Sequence, residues 1–161
     1  MARQRGIAPE RIRGSIDFDP VLDWSAPPLD KLAELMQHCI AHMPQFRVLQ
    51  INARRFHSGP DDSSEELAYA IAKGSEYLAR LSSMGISAGQ VNAHAQFVVS
   101  ISKSYFVEIA KLRALRLLWA NVLKAYGAEG QAPFIVAHFA EESQDEDSNT
   151  NMIRASTQAM S

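Results

Sequence analysis

The sequence predicts an α/β fold assembled from parallel strand–helix units. Three observations lead there. Short apolar segments bounded by turn residues alternate with longer segments of helical period. The order strand, helix repeats along the whole chain, and such alternation calls for parallel strands with right-handed helical crossovers. No G-x-G-x-x-G or G-x-x-x-x-G-K-[ST] loop follows any candidate strand, so the fingerprints of nucleotide-binding α/β folds are missing.

The candidate strands are Gly14 to Asp19, Phe46 to Asn52, Ala95 to Ser102 and Pro133 to Phe139. A first helix is expected over Asp30 to Met43. Leu32, Leu35, Met36, Cys39, Ile40 and Met43 make one apolar stripe, Pro27 and Pro28 precede it, and Pro44 stops it. A second helix runs from about Ser64 to Leu81. Ser63 and Glu66 have the spacing of a capping box. Gly74 inside this helix costs helix stability, which points to close packing there. The third helix, Ser104 to Tyr126, is the longest and buries Ile109, Leu112, Leu115, Trp119, Val122, Leu123 and Tyr126, with Gly127 as its C′ residue. A fourth helix begins near Asn149 and is expected to be cut short by the chain end.

These units build either a small open sheet or a partial, half TIM-type (β/α)8 barrel, since a whole barrel takes about 250 residues. The 161 residues suit one domain, residues 1–161. No internal repeat or low-complexity linker divides it. A net charge of −2 gives no electrostatic case for nucleic acid or an anionic membrane. The four arginines between Arg3 and Arg13 read as a solvated helix end and loop. The single cysteine, Cys39, excludes an internal disulfide and fits a reducing compartment. The first residues lack the apolar region of a signal peptide, and no apolar run reaches the roughly 20 residues of a membrane helix. A cytoplasmic location is expected.

Two clusters tempt a metal reading. His38 and His42 in "HCIAH" stand four apart on one helix face. Cys39 between them belongs to the apolar stripe, however, and exposed helix histidines are expected. The carboxylates of "EESQDED", residues 141 to 147, lack EF-hand spacing and read as a solvated acidic loop. No metal site is expected. The strand ends carry more weight, because in parallel α/β folds the C-terminal strand ends form the working face. Here they gather Asp17 and Asp19, then Arg54, Arg55 and His57, then Ser102 and Lys103, then His138. Both a His–Asp acid/base pair and a phosphate site are compatible with these residues, and no spacing is diagnostic of either. His57, in "INARRFHSGPD", has the placement of a catalytic base.

One stretch is more specific. "FVEIAKLRALRLLWANVLKAYG", residues 106 to 127, resembles the barrel domain of the methylmalonyl-CoA mutase family, where the pattern is E-[IV]-A-K-[LM]-R-A-x-R-x-L-W. Glu108, Ala110, Lys111, Arg113, Arg116 and Trp119 match it. "GSIDFDP" (14 to 20) resembles the family's fourth-strand segment, especially in its small subunits. "EELAYAIAKGSEYL" (65 to 78) is similar to the helix after the fifth strand, and "NMIRASTQAM" (151 to 160) to a stretch near the seventh helix. The resemblance implies strands four to seven of an eight-stranded barrel, without the separate cobalamin-binding domain, whose D-x-H-x-x-G motif does not occur here. It implies either a fragment or a half-barrel with open edges that self-associates or takes a partner.

The family reaction is a radical rearrangement between succinyl-CoA and (R)-methylmalonyl-CoA, with adenosylcobalamin as the radical source. Some bacterial enzymes pair a catalytic large chain with a small chain that keeps the fold without the chemistry. The resemblance places Arg54 and Arg55 at the Tyr-His pair of catalytic chains, and His57 two positions later, at a Gln. It places Ser15 and Asp17 at a T-x-Q that contacts substrate, and His94 and Gln96 at an R-x-S that contacts CoA. The loop after the seventh strand keeps His138 but has Ala140 for a Gln. An Arg in place of a catalytic His cannot give up a proton near neutral pH. The expectation is therefore a catalytically silent small-subunit segment, with Ser15, Asp17, Arg54, Arg55, His94, Gln96 and His138 as remnant pocket positions. This chain binds no cofactor of its own on that reading; adenosylcobalamin belongs to a large-subunit partner. The alternatives are an active acyl-CoA mutase with another substrate, using Arg54, Arg55 or His94, and a stand-alone hydrolase or lyase using Asp17, Asp19 and His138.

Overall fold

A computed structural model describes residues 6–57 and 63–160. It is α/β, and every strand pairing in it is parallel. The strands are β1 (Gly14–Ser15), β2 (Phe46–Arg47), β3 (Leu49–Asn52), β4 (Ala95–Ile101) and β5 (Ile135–Phe139). The helices are α1 (Pro20–Asp23), α2 (Leu29–His42), α3 (Ser63–Ser83), α4 (Ala88–Ala93), α5 (Tyr105–Ala125) and α6 (Ser148–Ala159). β1 pairs with β2, β3 with β4, and β4 with β5. Neighbours in the sheet are thus neighbours in the chain. That order is the arc of a (β/α) barrel wall, not the reversing order of a doubly wound sheet.

The single strand expected over Phe46 to Asn52 is divided at Val48. Val48 N–H and Leu49 N–H both donate to His94 O, at 2.9 and 3.1 Å. Two donors on one carbonyl leave one residue out of step, so the ladder breaks there. The first strand is shorter than expected, although its backbone bonds continue: Ile16 N–H donates to Arg47 O (3.1 Å) and Gln50 N–H to Phe18 O (3.0 Å). Pro20 then starts α1 at a position that needs no N–H.

One face of the sheet is apolar. Leu49 and Ile51 of β3 and Ala95, Phe97 and Val99 of β4 pack on Leu32, Met36 and Cys39 of α2, Tyr77, Leu78 and Leu81 of α3, and Leu115, Trp119 and Leu123 of α5. The close packing read from Gly74 is present: a Cβ there would sit 2.7 Å from the Trp119 ring. Trp119 meets Phe97 edge-on at 4.8 Å and donates its indole N–H to Asn92 Oδ1 at 2.8 Å. The other face carries Gln50 and Gln96, paired in register, and then Ser100. All seven residues of β4 are buried, as a wall strand covered on both sides requires.

Three expectations are corrected. Ser63 and Glu66 form no capping box, because Glu66 turns into the interior and accepts from Ser100 N–H and Lys111. The capping box is formed instead by Ser87 and Gln90, at the start of the unforeseen α4. Tyr126 is exposed, while Glu108 and Lys111 are buried on the same α5 face as Leu115 and Trp119.

Candidate functional site

The C-terminal ends of the strands hold two buried polar clusters. In the first, Asp19 is the hub. Its carboxylate accepts from Tyr77 OH (2.6 Å), from Asn52 N–H (2.9 Å) and from Lys73 Nζ. Tyr77 OH accepts in turn from Val21 N–H at 3.0 Å. Burial pushes the Tyr77 phenol far above its ordinary value, and the bond to Asp19 adds to the shift. An acid so fully engaged is a tie between β1, β3 and α3.

The second cluster lies beneath β4. Glu66 accepts from Ser100 N–H (2.6 Å) and pairs with Lys111 at 2.9 Å. Lys111 also donates to Ser100 O (2.6 Å) and stands 2.6 Å from Glu108. Ser102 Oγ donates to Glu108 Oε1 at 2.7 Å. His57 touches this cluster: its side chain is 2 % exposed, with Nε2 2.7 Å from Glu142 Oε1 and Nδ1 3.4 Å from Glu66 Oε2. The ring, Arg54, Ser100, Glu141 and Glu142 line a cleft of about 150 Å³.

The residues singled out in the sequence do not converge on one site. Asp17 accepts from Gln50 Nε2 (2.6 Å), and Gln50 accepts from Gln96 Nε2 (3.0 Å), so these three bridge neighbouring strands. Arg54 lines the small cleft. Arg55 leaves it for an ion pair with Asp23 on α1. His94 is buried, with Nδ1 2.7 Å from Phe46 O. Ser15 and Gln96 line a larger cleft of about 640 Å³ at the other end of the strands, together with Arg13, Arg47 and Phe134. Arg47 stacks over the Phe134 ring at 3.6 Å. Lys103 and His138 are exposed, His138 level with Ser100 in the β5–β4 register.

His38 and His42 stand exposed on α2, their rings 4.7 Å apart. Cys39 beneath them is buried, and burial raises its thiol. Among the described residues no group of three or more His, Cys, Asp or Glu is placed to hold a metal ion. Also among them, no helix is long and apolar enough to cross a membrane.

The sequence offers Glu66 as a capping residue and Glu108 and Lys111 as part of a family pattern, but not the burial of these charges or of Lys73. A signal existed. Glu108, Lys111, Leu115 and Trp119 recur at helical spacing on one face. A carboxylate and an ammonium three apart on a stripe that continues as Leu and Trp mark a buried pair rather than a solvated one.

The family pattern Methylmalonyl-CoA mutase matches residues 1–161. The chain belongs to the methylmalonyl-CoA mutase family. It is 31 % identical to the methylmalonyl-CoA mutase small subunit of Porphyromonas gingivalis (strain ATCC BAA-308 / W83), over 97 % of this chain and 27 % of that protein. It is 33 % identical to the methylmalonyl-CoA mutase small subunit of Streptomyces virginiae, over 76 % of this chain and 21 % of that protein. The methylmalonyl-CoA mutase large subunit of Propionibacterium freudenreichii subsp. shermanii is 27 % identical, over 78 % of this chain and 18 % of its own length. The chain thus spans about a quarter or less of these mutase subunits.

Proposed function

We propose that this mutase-family chain is a segment of a small subunit, a structural partner that does no chemistry itself. The observation that carries the reading is the fate of Arg55. At the position where the resemblance calls for a catalytic histidine, this chain has a guanidinium, and that group pairs with Asp23 at the surface. A permanently charged side chain in an ion pair offers no proton to a thioester oxygen near neutral pH. Asp17 and Ala140 stand where catalytic chains carry glutamines, which supports the same conclusion.

Adenosylcobalamin would supply the radical for the family rearrangement. The described histidines do not fit a cobalt ligand for it. His57 and His94 are engaged inside the protein, His38 and His42 pack on each other, and none of the five, the exposed His138 included, stands in a D-x-H-x-x-G context. The cofactor is therefore assigned to a large-subunit partner, and the assembled enzyme to the interconversion of succinyl-CoA and methylmalonyl-CoA in the cytoplasm.

Co-purification with a cobalamin-binding large chain, followed by turnover assays on each part, tests this. The expected result is a complex that turns over and an isolated chain that does not. Mutase activity of the isolated chain with added cofactor would overturn the reading. The larger cleft favours a second reading, in which the chain binds a CoA ester without turning it over. Arg13 and Arg47 give it positive charge, and Phe134 gives it an apolar wall. Calorimetry with CoA esters on the assembled protein separates the two.

A further inference from the structure

We infer that His57 is a latch that makes residues 53–57, after β3, and residues 140–147, after β5, move as one unit. His57 and Glu142 are 85 residues apart in sequence and meet beside the end of β4. An ionised carboxylate can only accept, so the 2.7 Å contact with Glu142 Oε1 requires a proton on His57 Nε2. The other nitrogen, Nδ1, is buried, has no hydrogen-bond partner among the described residues and faces Glu66 Oε2 at 3.4 Å. Glu66 cannot follow a moving ring, since it is held by Ser100 N–H and Lys111 and is itself fully buried. The ring therefore rests on the inner side against a fixed wall and reaches outward to one carboxylate.

That carboxylate sits on a segment with few other inward ties. Ala140 N–H donates to Ile101 O (2.9 Å), and Ser143 is buried with its Oγ on Ala140 O. Arg154 of α6 donates to Ser143 O at 3.2 Å, so whatever holds this turn also sets the start of α6. Glu141 and Arg54 line the same small cleft, and Glu108 completes the charged set behind Glu66. The His57–Glu142 contact forms part of the wall of the cleft. A charge-assisted hydrogen bond from a buried ring to a carboxylate at the surface is strong enough to control local opening of a short turn.

Amide hydrogen exchange on the whole chain tests the latch in both directions. Replacing the side chain on the exposed partner, Glu142→Ala, should speed exchange of the amides of residues 53–57 by about tenfold, although they lie on another element. His57→Phe, which keeps the ring shape, should do the same to the amides of residues 140–147. Glu146→Ala, on the same acidic segment but outside the contact, should leave residues 53–57 unchanged. If Glu142→Ala loosens only its own turn, or acts no differently from Glu146→Ala, the latch is wrong. Glu142 lies at the surface, so that arm remains readable even if His57→Phe fails to fold. The experiment needs neither partner nor cofactor, so its outcome is independent of the small-subunit reading.

Discussion

Lys111 is the residue whose loss should matter most. Its ammonium is shared by two buried carboxylates, Glu66 and Glu108, and by Ser100 O. Lys111→Met keeps the stem and removes the charge, which strands both acids in the interior. Breaking a buried pair in this way costs about 3–5 kcal/mol. Lys31→Met, at the solvent-exposed pair with Glu34, should cost no more than about 0.5 kcal/mol. Urea melts of the two variants make the comparison. Tyr77 gives a prediction in pH. Its folded phenol holds its proton well above the ordinary value, because it is buried and bonded to Asp19. The unfolded phenol ionises near pH 10. Stability is therefore intact below about pH 10 and falls above it, by up to about 1.4 kcal/mol per pH unit from this one group. Melts between pH 9 and 11 on the wild type and Tyr77→Phe should show a steeper fall in the wild type, a range set by the reference value of tyrosine, about 10.

Elements were legible where one rule governed them. The apolar stripe of α2 and the proline that follows it, and the glycine that ends α5, are written in local sequence and appear in the structure. The close approach of α3 to α5 was also legible, from a glycine in a helix. Gly74→Ala would improve helix propensity by about 1 kcal/mol in isolation. Here the added methyl meets Trp119 at 2.7 Å and Phe97 at 3.2 Å, so overpacking of about 1–3 kcal/mol should win and the variant should melt at lower denaturant. The short elements were not legible. α4 has six residues, too few for a helical period to register, and the spacing of its capping box, Ser87 and Gln90, is the same as that of Ser63 and Glu66, which form none. Spacing cannot say which way a glutamate turns; Ser100 N–H of β4 and Lys111 of the neighbouring α5 decide that for Glu66. The site was hidden for the same reason, since the partners of Asp19 and His57 come from elements remote in sequence. At α6, Asp147 caps the helix through Asn149 and Thr150, and these bonds hold its carboxyl below the usual range. A depressed value means that the cap contributes above about pH 3.9 and is lost as pH falls through the folded value beneath it. Amide protection in α6 should fall at acid pH, and Asp147→Asn should make it less sensitive to pH.

At the scale of the molecule, the governing fact is an arc of barrel wall with two free sides. Among the described residues, β1 and β5 each pair on one side only. β5 is the greater liability, because Phe139 and the adjoining Phe134 are exposed beside its unpaired backbone groups. α5 adds Phe106 and Leu117, which are 81 % and 66 % exposed. An apolar strand edge with open N–H and C=O groups is a template for pairing with another chain. These 161 residues, studied alone, should therefore self-associate as concentration rises, and sedimentation velocity will show it. Two substitutions separate edge pairing from general stickiness. Phe139→Lys places a charge on the β5 edge and should shift the population toward monomer, as charged edges do in natural sheets. Leu117→Lys lies on the outer helix face and should have the smaller effect if the edge governs association. The reverse ranking would place the contact on the helical shell instead. In a complex with a large subunit the same Phe139→Lys change measures whether that partner uses this edge: unchanged complex formation would show that the mutase interface lies elsewhere on the wall.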